Sequence, residues 1–350
     1  MRKLLVRWIT VYCLIFSFPV MSDDIIGEEK IALLASLEKN IKEKYVLIDN
    51  IAKIEHTLRK ISTNSNFLKA ESKKELASIM SAELRKHDKH FTVQWRDLTK
   101  EPEKQEINEG WFAKLKRKNS GFNKVEILDG NIGYIDFWGL DELNEVSRAR
   151  AENTLALVSE VDALIFDLRN NGGGSAEMVQ LISSYFFDSK THLNSFYSRM
   201  TGTTSEFWTF DKINGVKKPN LPLYILTSKH TFSAAEEFAY NFKHLKRATI
   251  VGEQTKGGAN PWQYFELGDG FRAAIPIAKA VNPITKSNWE AVGVKPHVDT
   301  VSHKALEVAY KMALIEIKKS ADNKYQIKDI DAKLAELAEL SRNKSRKSDS

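Results

Sequence analysis

The feature that most constrains this chain is the run Ala163-Leu164-Ile165-Phe166-Asp167-Leu168, which ends in Gly172-Gly173-Gly174. A short, mostly apolar run suits a strand buried on both faces. Glycines at its end let the backbone turn sharply and approach other groups closely. A helical pattern, Ala176 to Phe187, follows. The same order recurs downstream. Leu223 to Leu226 reads as a strand, Ala234 to Leu245 as a helix and Ala248 to Val251 as a strand. Upstream, Val125–Leu128 and Ile132–Phe137 read as strands around a turn at Asp129-Gly130-Asn131, with a helix over Leu143–Val158. Alternating strands and helices indicate an α/β core with parallel strands. No internal repeat is visible.

The first third differs. Ile31, Leu34, Leu37 and Ile41, then Ile51, Ile54, Leu58 and Ile61, recur at helical spacing. The polar stretch Ser62 to Asn66 breaks them, and Leu76 to Leu84 resumes the pattern. This helical segment delivers His87-Asp88-Lys89-His90. Residues from about 100 to 120 are polar and read as a linker. The last stretch, from about Lys304 to Ser341, is helical and poor in core-like residues at its end.

The first 22 residues run from Arg2, Lys3 and Arg7 through an apolar stretch, Trp8–Val20, to Met21-Ser22 and Asp23-Asp24. That is the order of a secretory signal. An uncleaved anchor is the alternative, although the apolar run is short for a span. Removing the segment lowers the formal net charge from +6 to +3, which gives no strong case for nucleic-acid binding. The basic stretch Arg342–Lys347 reads as a solvated terminus. Cys13, the single cysteine, lies inside the signal. The mature chain then has no thiol for nucleophilic or metal chemistry, which suits an oxidising compartment. The expected location is periplasmic or secreted, with no integral span after cleavage.

Two segments carry candidate chemistry. Backbone donors of the glycine turn, at a helix N-terminus, suit an anion or a developing oxyanion. A plain tight turn is the bland alternative. Neither a phosphate loop nor a dinucleotide fingerprint is present, and no cofactor or metal is expected. The second segment is Thr227 to Glu236, where Ser233 stands between a strand and a helix. Ser233 and Glu236 satisfy a capping box, and the same position also serves a nucleophile. A serine needs a base. His90 and His230 are the histidine candidates, with Lys256 as an amine alternative, and spacing does not choose among them. Glu290 beside Trp289 can orient a base or be a surface charge. A metal site at His87 and His90 is a weak further reading.

Taken together, these segments resemble the C-terminal-processing (tail-specific) serine peptidase family. Asp167 to Gly174 is similar to its strand and oxyanion loop, Ser233-Ala234-Ala235-Glu236 to its nucleophile segment, and Arg247 to Thr255 to the stretch that follows. Family members of the Ser-Lys type carry lysine where Gly258 stands here, and Lys256 stands in place of their phenylalanine. The chain between His90 and Val125 is short for the PDZ domain those enzymes insert. Both departures point to the branch similar to the tricorn protease core and the interphotoreceptor retinoid-binding protein. Asp88-Lys89-His90 resembles that branch's histidine motif, and Trp289 to Pro296 its glutamate motif, with His297 in place of an aspartate.

The resemblance implies a crotonase-like (ClpP-like) β-α spiral core with an N-terminal helical domain. It implies a Ser233–His90–Glu290 triad, with Gly173 or Gly174 and Ala234 as oxyanion donors and Lys256 as the alternative base. The expected domains are a signal at 1–22, helices at 23–98, a linker at 99–122, an α/β peptidase core at 123–318, and a C-terminal helix and tail at 319–350. The expected substrate is a peptide or protein, and an oligomer is possible. The retinoid-binding relatives imply an alternative: a non-catalytic binding protein for an apolar ligand or peptide.

Overall fold

A computed structural model of the chain describes residues 27–99 and 109–348, with side chains described through 339. The expected signal lies outside the described residues, as does most of the first half of the expected linker. The chain opens with α1 (Gly27–Lys44), α2 (Ile51–Ser62), the short α3 (Ser65–Lys69) and α4 (Lys73–Leu84). Strand β1 (Thr92–Trp95) and helix α5 (Trp111–Arg117) follow. Next come β2 (Phe122–Leu128), β3 (Ile132–Phe137), α6 (Glu145–Leu157), β4 (Ala163–Asp167) and α7 (Ala176–Ser183). Beyond these are β5 (His192–Ser198), β6 (Thr203–Trp208), β7 (Leu223–Thr227), α8 (Ala234–His244) and β8 (Thr249–Gly252). The chain continues through β9 (Trp262–Gly268), β10 (Phe271–Pro276), β11 (Ala278–Val281) and β12 (Val298–Asp299) to α9 (Ala305–Ser320) and α10 (Lys324–Ser348).

The central sheet has the order β12-β8-β7-β4-β3-β2. Its pairs are parallel except for the β2–β3 hairpin. Side chains alternate across a strand, so both faces must be covered. Leu164, Phe166 and Ile225 face one way and pack with Leu155, Val179, Phe238 and Phe242 from α6, α7 and α8. Ala163, Ile165 and Leu226 face the other way, against Ala309, Leu314 and Ile330 of α9 and α10. The expected continuous C-terminal helix is therefore two helices.

Two antiparallel three-stranded sheets, β1-β10-β9 and β11-β5-β6, complete the fold. The first joins the helical unit to the rest. β1 pairs with β10, Thr92 opposite Ala274. Leu37, Ile41, Ile54, Met80 and Leu84 share one core with Phe271, Ala273 and Ile275 of β10. Ile31, expected on the apolar face, is 67% exposed, and Leu33 is buried in its stead. Residues 111–117, expected within a linker, are helical. Trp111 of that helix donates its indole N–H to the Gly173 carbonyl at 3.3 Å.

Candidate active site

Strands β4 and β7 are parallel neighbours, so the loops that leave their C-terminal ends lie side by side. In open parallel sheets this edge is where sites form. Polar bonds stitch the two loops together. Thr231 Oγ1 donates to the Leu168 carbonyl at 2.7 Å, Ser228 Oγ to the Arg169 carbonyl at 2.5 Å, and the Phe232 N–H to the Asn171 carbonyl at 3.0 Å. Buried Asp167 pairs with Arg169 and accepts from the Tyr134 hydroxyl at 2.7 Å. Arg169 in turn donates to the Ser302 carbonyl.

Ser233 has φ +55° and ψ −125°. Such a conformation costs on the order of 1–3 kcal/mol in a non-glycine residue and persists only where its surroundings enforce it. Glu236 provides that enforcement. Its carboxylate accepts from the Ser233 N–H at 2.9 Å, the Thr255 hydroxyl at 2.5 Å, the Gly257 N–H at 2.6 Å and the Gly258 N–H at 2.9 Å. The Ser-x-x-Glu pattern thus fixes the turn that presents the serine. Burial raises the Glu236 pKa, and the four donors oppose the rise.

The glycine loop abuts this turn. A Cβ on Gly173 would lie 2.7 Å from Ser233 Cβ and 2.9 Å from the Ala234 nitrogen. A Cβ on Gly174 would lie 1.8 Å from the Leu140 carbonyl oxygen. The Gly173 N–H donates to Asn171 Oδ1 at 2.8 Å. Of the expected donors, Gly174 and Ala234 keep N–H groups without an internal acceptor among the described residues.

His90 sits in the turn between α4 and β1, buried beneath the seam of the two units. Its Nε2 lies 3.4 Å from Ser233 Oγ. Its ring packs on Phe232, with centroids 4.7 Å apart. Behind it, Asp88 Oδ1 lies 3.5 Å from His90 Nδ1 and accepts the His90 backbone N–H at 3.0 Å. Asp88 Oδ2 accepts from Asn260 Nδ2 at 2.8 Å. Glu290 approaches the same imidazole: one ligating atom from each of Asp88, His90 and Glu290 lies within 4.8 Å of the others. Glu290 also accepts the Ala259 N–H at 2.6 Å. Burial and the Asp88 charge push the Glu290 carboxyl up to about 8.

No other candidate base makes a hydrogen bond to Ser233 among the described residues. His230 is exposed. His87 Nε2 bonds Thr57 Oγ1 at 2.7 Å, so the His87–His90 pairing does not form. Lys256 Nζ lies over the Phe232 ring at 4.4 Å and makes no hydrogen bond to Ser233 among the described residues. Burial, with Arg85 and Lys89, lowers its pKa. A Cβ on Gly258 would lie 2.2 Å from Phe232 Cε2 and 2.9 Å from His90 Cε1. The space a lysine at 258 would need is therefore occupied by the imidazole and its aromatic support. His297 serves β8, accepting the Ile250 N–H on Nδ1 at 3.0 Å.

Residues 131–300 match the model of peptidase family S41, and residues 28–124 match that of the N-terminal domain of this family in the eukaryotic interphotoreceptor retinoid-binding protein. Both segments of the chain thus resemble peptidase family S41. Over 165 residues it is 31% identical to carboxyl-terminal-processing peptidase 2, chloroplastic, of Arabidopsis thaliana, covering 47% of this chain and 31% of that protein. A carboxyl-terminal-processing protease of Synechocystis sp. is 32% identical over 47% of this chain and 35% of its own length. The chain thus spans about a third of these relatives. Among solved structures, a putative peptidase from Parabacteroides merdae superimposes with TM-score 0.57 at 18% identity, covering 81% of this chain and 96% of that one. The tricorn protease gives TM-score 0.51 at 15% identity, covering 89% of this chain and 37% of the other. These neighbours bear out the expected fold class. Among the described residues, no helix is long and apolar enough to cross a membrane.

Sequence reasoning missed three contributors. In the sequence Asp88 stands out only as part of the histidine motif, although an Asp two residues before a histidine can bond its backbone. Asn260 carries no local signal, because its partner is 172 residues away. Asn171, which engages the Gly173 N–H, stands out only as part of the loop.

Proposed function

We propose that this chain hydrolyses peptide bonds as an exported serine peptidase, with Ser233 as nucleophile and His90 as general base. The observation that carries the reading is the 3.4 Å approach of His90 Nε2 to Ser233 Oγ, from residues 143 positions apart, on a strained strand-to-helix turn. Such contacts are often long in an empty site and shorten when substrate binds.

Ser233 Oγ attacks the carbonyl carbon as its proton passes to His90 Nε2. The oxyanion receives the Ala234 and Gly174 N–H groups. His90 returns the proton to the leaving amine as the C–N bond breaks, leaving an ester on Ser233. Water, deprotonated by His90, then hydrolyses the ester. Asp88 and Glu290 act through His90. When the imidazolium forms, its charge favours ionised carboxylates behind it. The same charge opposes the burial and the Asp88 charge that raise the Glu290 carboxyl in the resting site.

Export rests on the charged, apolar and small-residue order of residues 1–22. Assignment to the branch without a PDZ domain rests on the match of residues 28–124 and on Gly258. The direct test is hydrolysis of a quenched fluorescent peptide library by residues 23–350. Cleavage lost in Ser233→Ala and in His90→Ala supports the mechanism. Absence of cleavage by folded wild type, or cleavage that survives Ser233→Ala, refutes it.

A further inference from the structure

The nucleophile opens onto a cavity of about 1160 Å³. Its walls include Leu143, Phe196, Phe207, Trp262 and Ile277. Among the described residues its charged lining is one-sided: Glu142, Glu177 and Glu237 face it, and no lysine or arginine does. Glu237 stands apart from the other two. It lies on α8, only 2% exposed, yet it borders the cavity. Ser233, at the N-terminal end of α8, and Glu237, in its first turns, both line this cavity.

A buried carboxyl normally has compensating partners. Here they are the amides of Asn194, fully buried on β5, and Asn241. Burial pushes Glu237 up to about 8, the Asn194 and Asn241 amides oppose this, and Glu177 adds to it. The resting pocket therefore has a buried carboxyl on a wall otherwise rich in apolar side chains. Lysine and arginine match such a site, with an apolar stem and a cationic head.

We infer that this cavity is the specificity pocket for the residue supplying the scissile carbonyl, and that Glu237 selects a lysine or arginine side chain there. The inference rests on the peptidase reading and names the substrate class of that same site.

The test compares kcat/KM for matched peptides carrying lysine, arginine, norleucine or leucine at that position. Wild type is expected to favour lysine over norleucine by tenfold or more, and Glu237→Gln to lower that ratio at least tenfold. A second measurement does not need turnover. The Ser233→Ala protein should bind the lysine peptide at least tenfold more tightly than its norleucine isostere, read by fluorescence anisotropy. Preference for norleucine or leucine in wild type overturns the inference, as does a ratio unchanged in Glu237→Gln. Reaction of Ser233 with a fluorophosphonate separates the two claims. Labelling together with an apolar preference overturns only the pocket assignment. Absence of both labelling and cleavage overturns the peptidase reading, and the pocket assignment with it.

Discussion

The two halves of the site are built differently. The half that carries Ser233 belongs to the central sheet, and its two loops are locked by Thr231, Ser228, Asn171 and the four-donor carboxylate of Glu236. The half that carries His90 comes from the helical unit and reaches the serine across a seam. It is held by the β1–β10 ladder, the Asp88–Asn260 bond and the Phe232 ring. Among the described residues His90 Nδ1 makes no hydrogen bond, with Asp88 Oδ1 3.5 Å away, and Nε2 is 3.4 Å from Ser233 Oγ. Ser233 is over-determined and His90 is placed by a junction. Small changes at the junction should therefore affect the rate far more than the fold.

The largest expected effect tests the base itself. His90→Ala should lower kcat on the order of 10⁴–10⁶-fold, with an unchanged circular-dichroism spectrum. Near-normal turnover would break the assignment. Gly258→Ala comes next. Its Cβ meets Phe232 and His90, and a displacement near 1 Å can cost about 10²-fold. The loss should appear in kcat/KM with little change in melting temperature. Equal loss of stability would show that the junction is not separately tuned.

Asn260→Ala should cost less, roughly tenfold, by releasing the Asp88 carboxylate behind the imidazole. A bell-shaped pH profile that changes shape as well as height would separate positioning from general destabilisation. The smallest effect on rate is expected from Lys256→Ala, within about threefold. A loss comparable to that of His90→Ala would move the base function to the amine.

The over-determined half also carries a pH prediction. Glu237 is raised from 4.5 to about 8 in the folded state. Its favourable contribution is full below about 4.5 and is lost as pH rises through 8. Glu237→Gln should therefore melt several degrees above wild type at pH 8.5 and no higher at pH 4. A constant offset across that range would contradict the shift. For a chain of this size each kcal/mol corresponds to at most about 2–4 °C.

Much of the parallel core was legible because buried strands and amphipathic helices leave period and length signals. β4, β7 and β8 fall where the apolar runs place them, and the glycine loop and Ser233 follow from strand-turn-helix order. The antiparallel sheets were not legible. β6 exposes most of its residues and β9 alternates poorly, so neither shows the period of a half-buried strand. Spacing alone does not choose between His90 and His230; the resemblance does, and the β1–β10 pairing shows how distant parts of the chain bring His90 to Ser233. Glu237 carries no signal in the sequence, because nothing local reports that it is buried beside the pocket.

The most direct measurement is the labelling rate of the protein by a fluorophosphonate probe, compared among wild type, Ser233→Ala, His90→Ala and Lys256→Ala. The account predicts rapid labelling in wild type and Lys256→Ala, and none in Ser233→Ala. In His90→Ala labelling should fall by at least 10³-fold. Labelling that survives His90→Ala but fails in Lys256→Ala would contradict it.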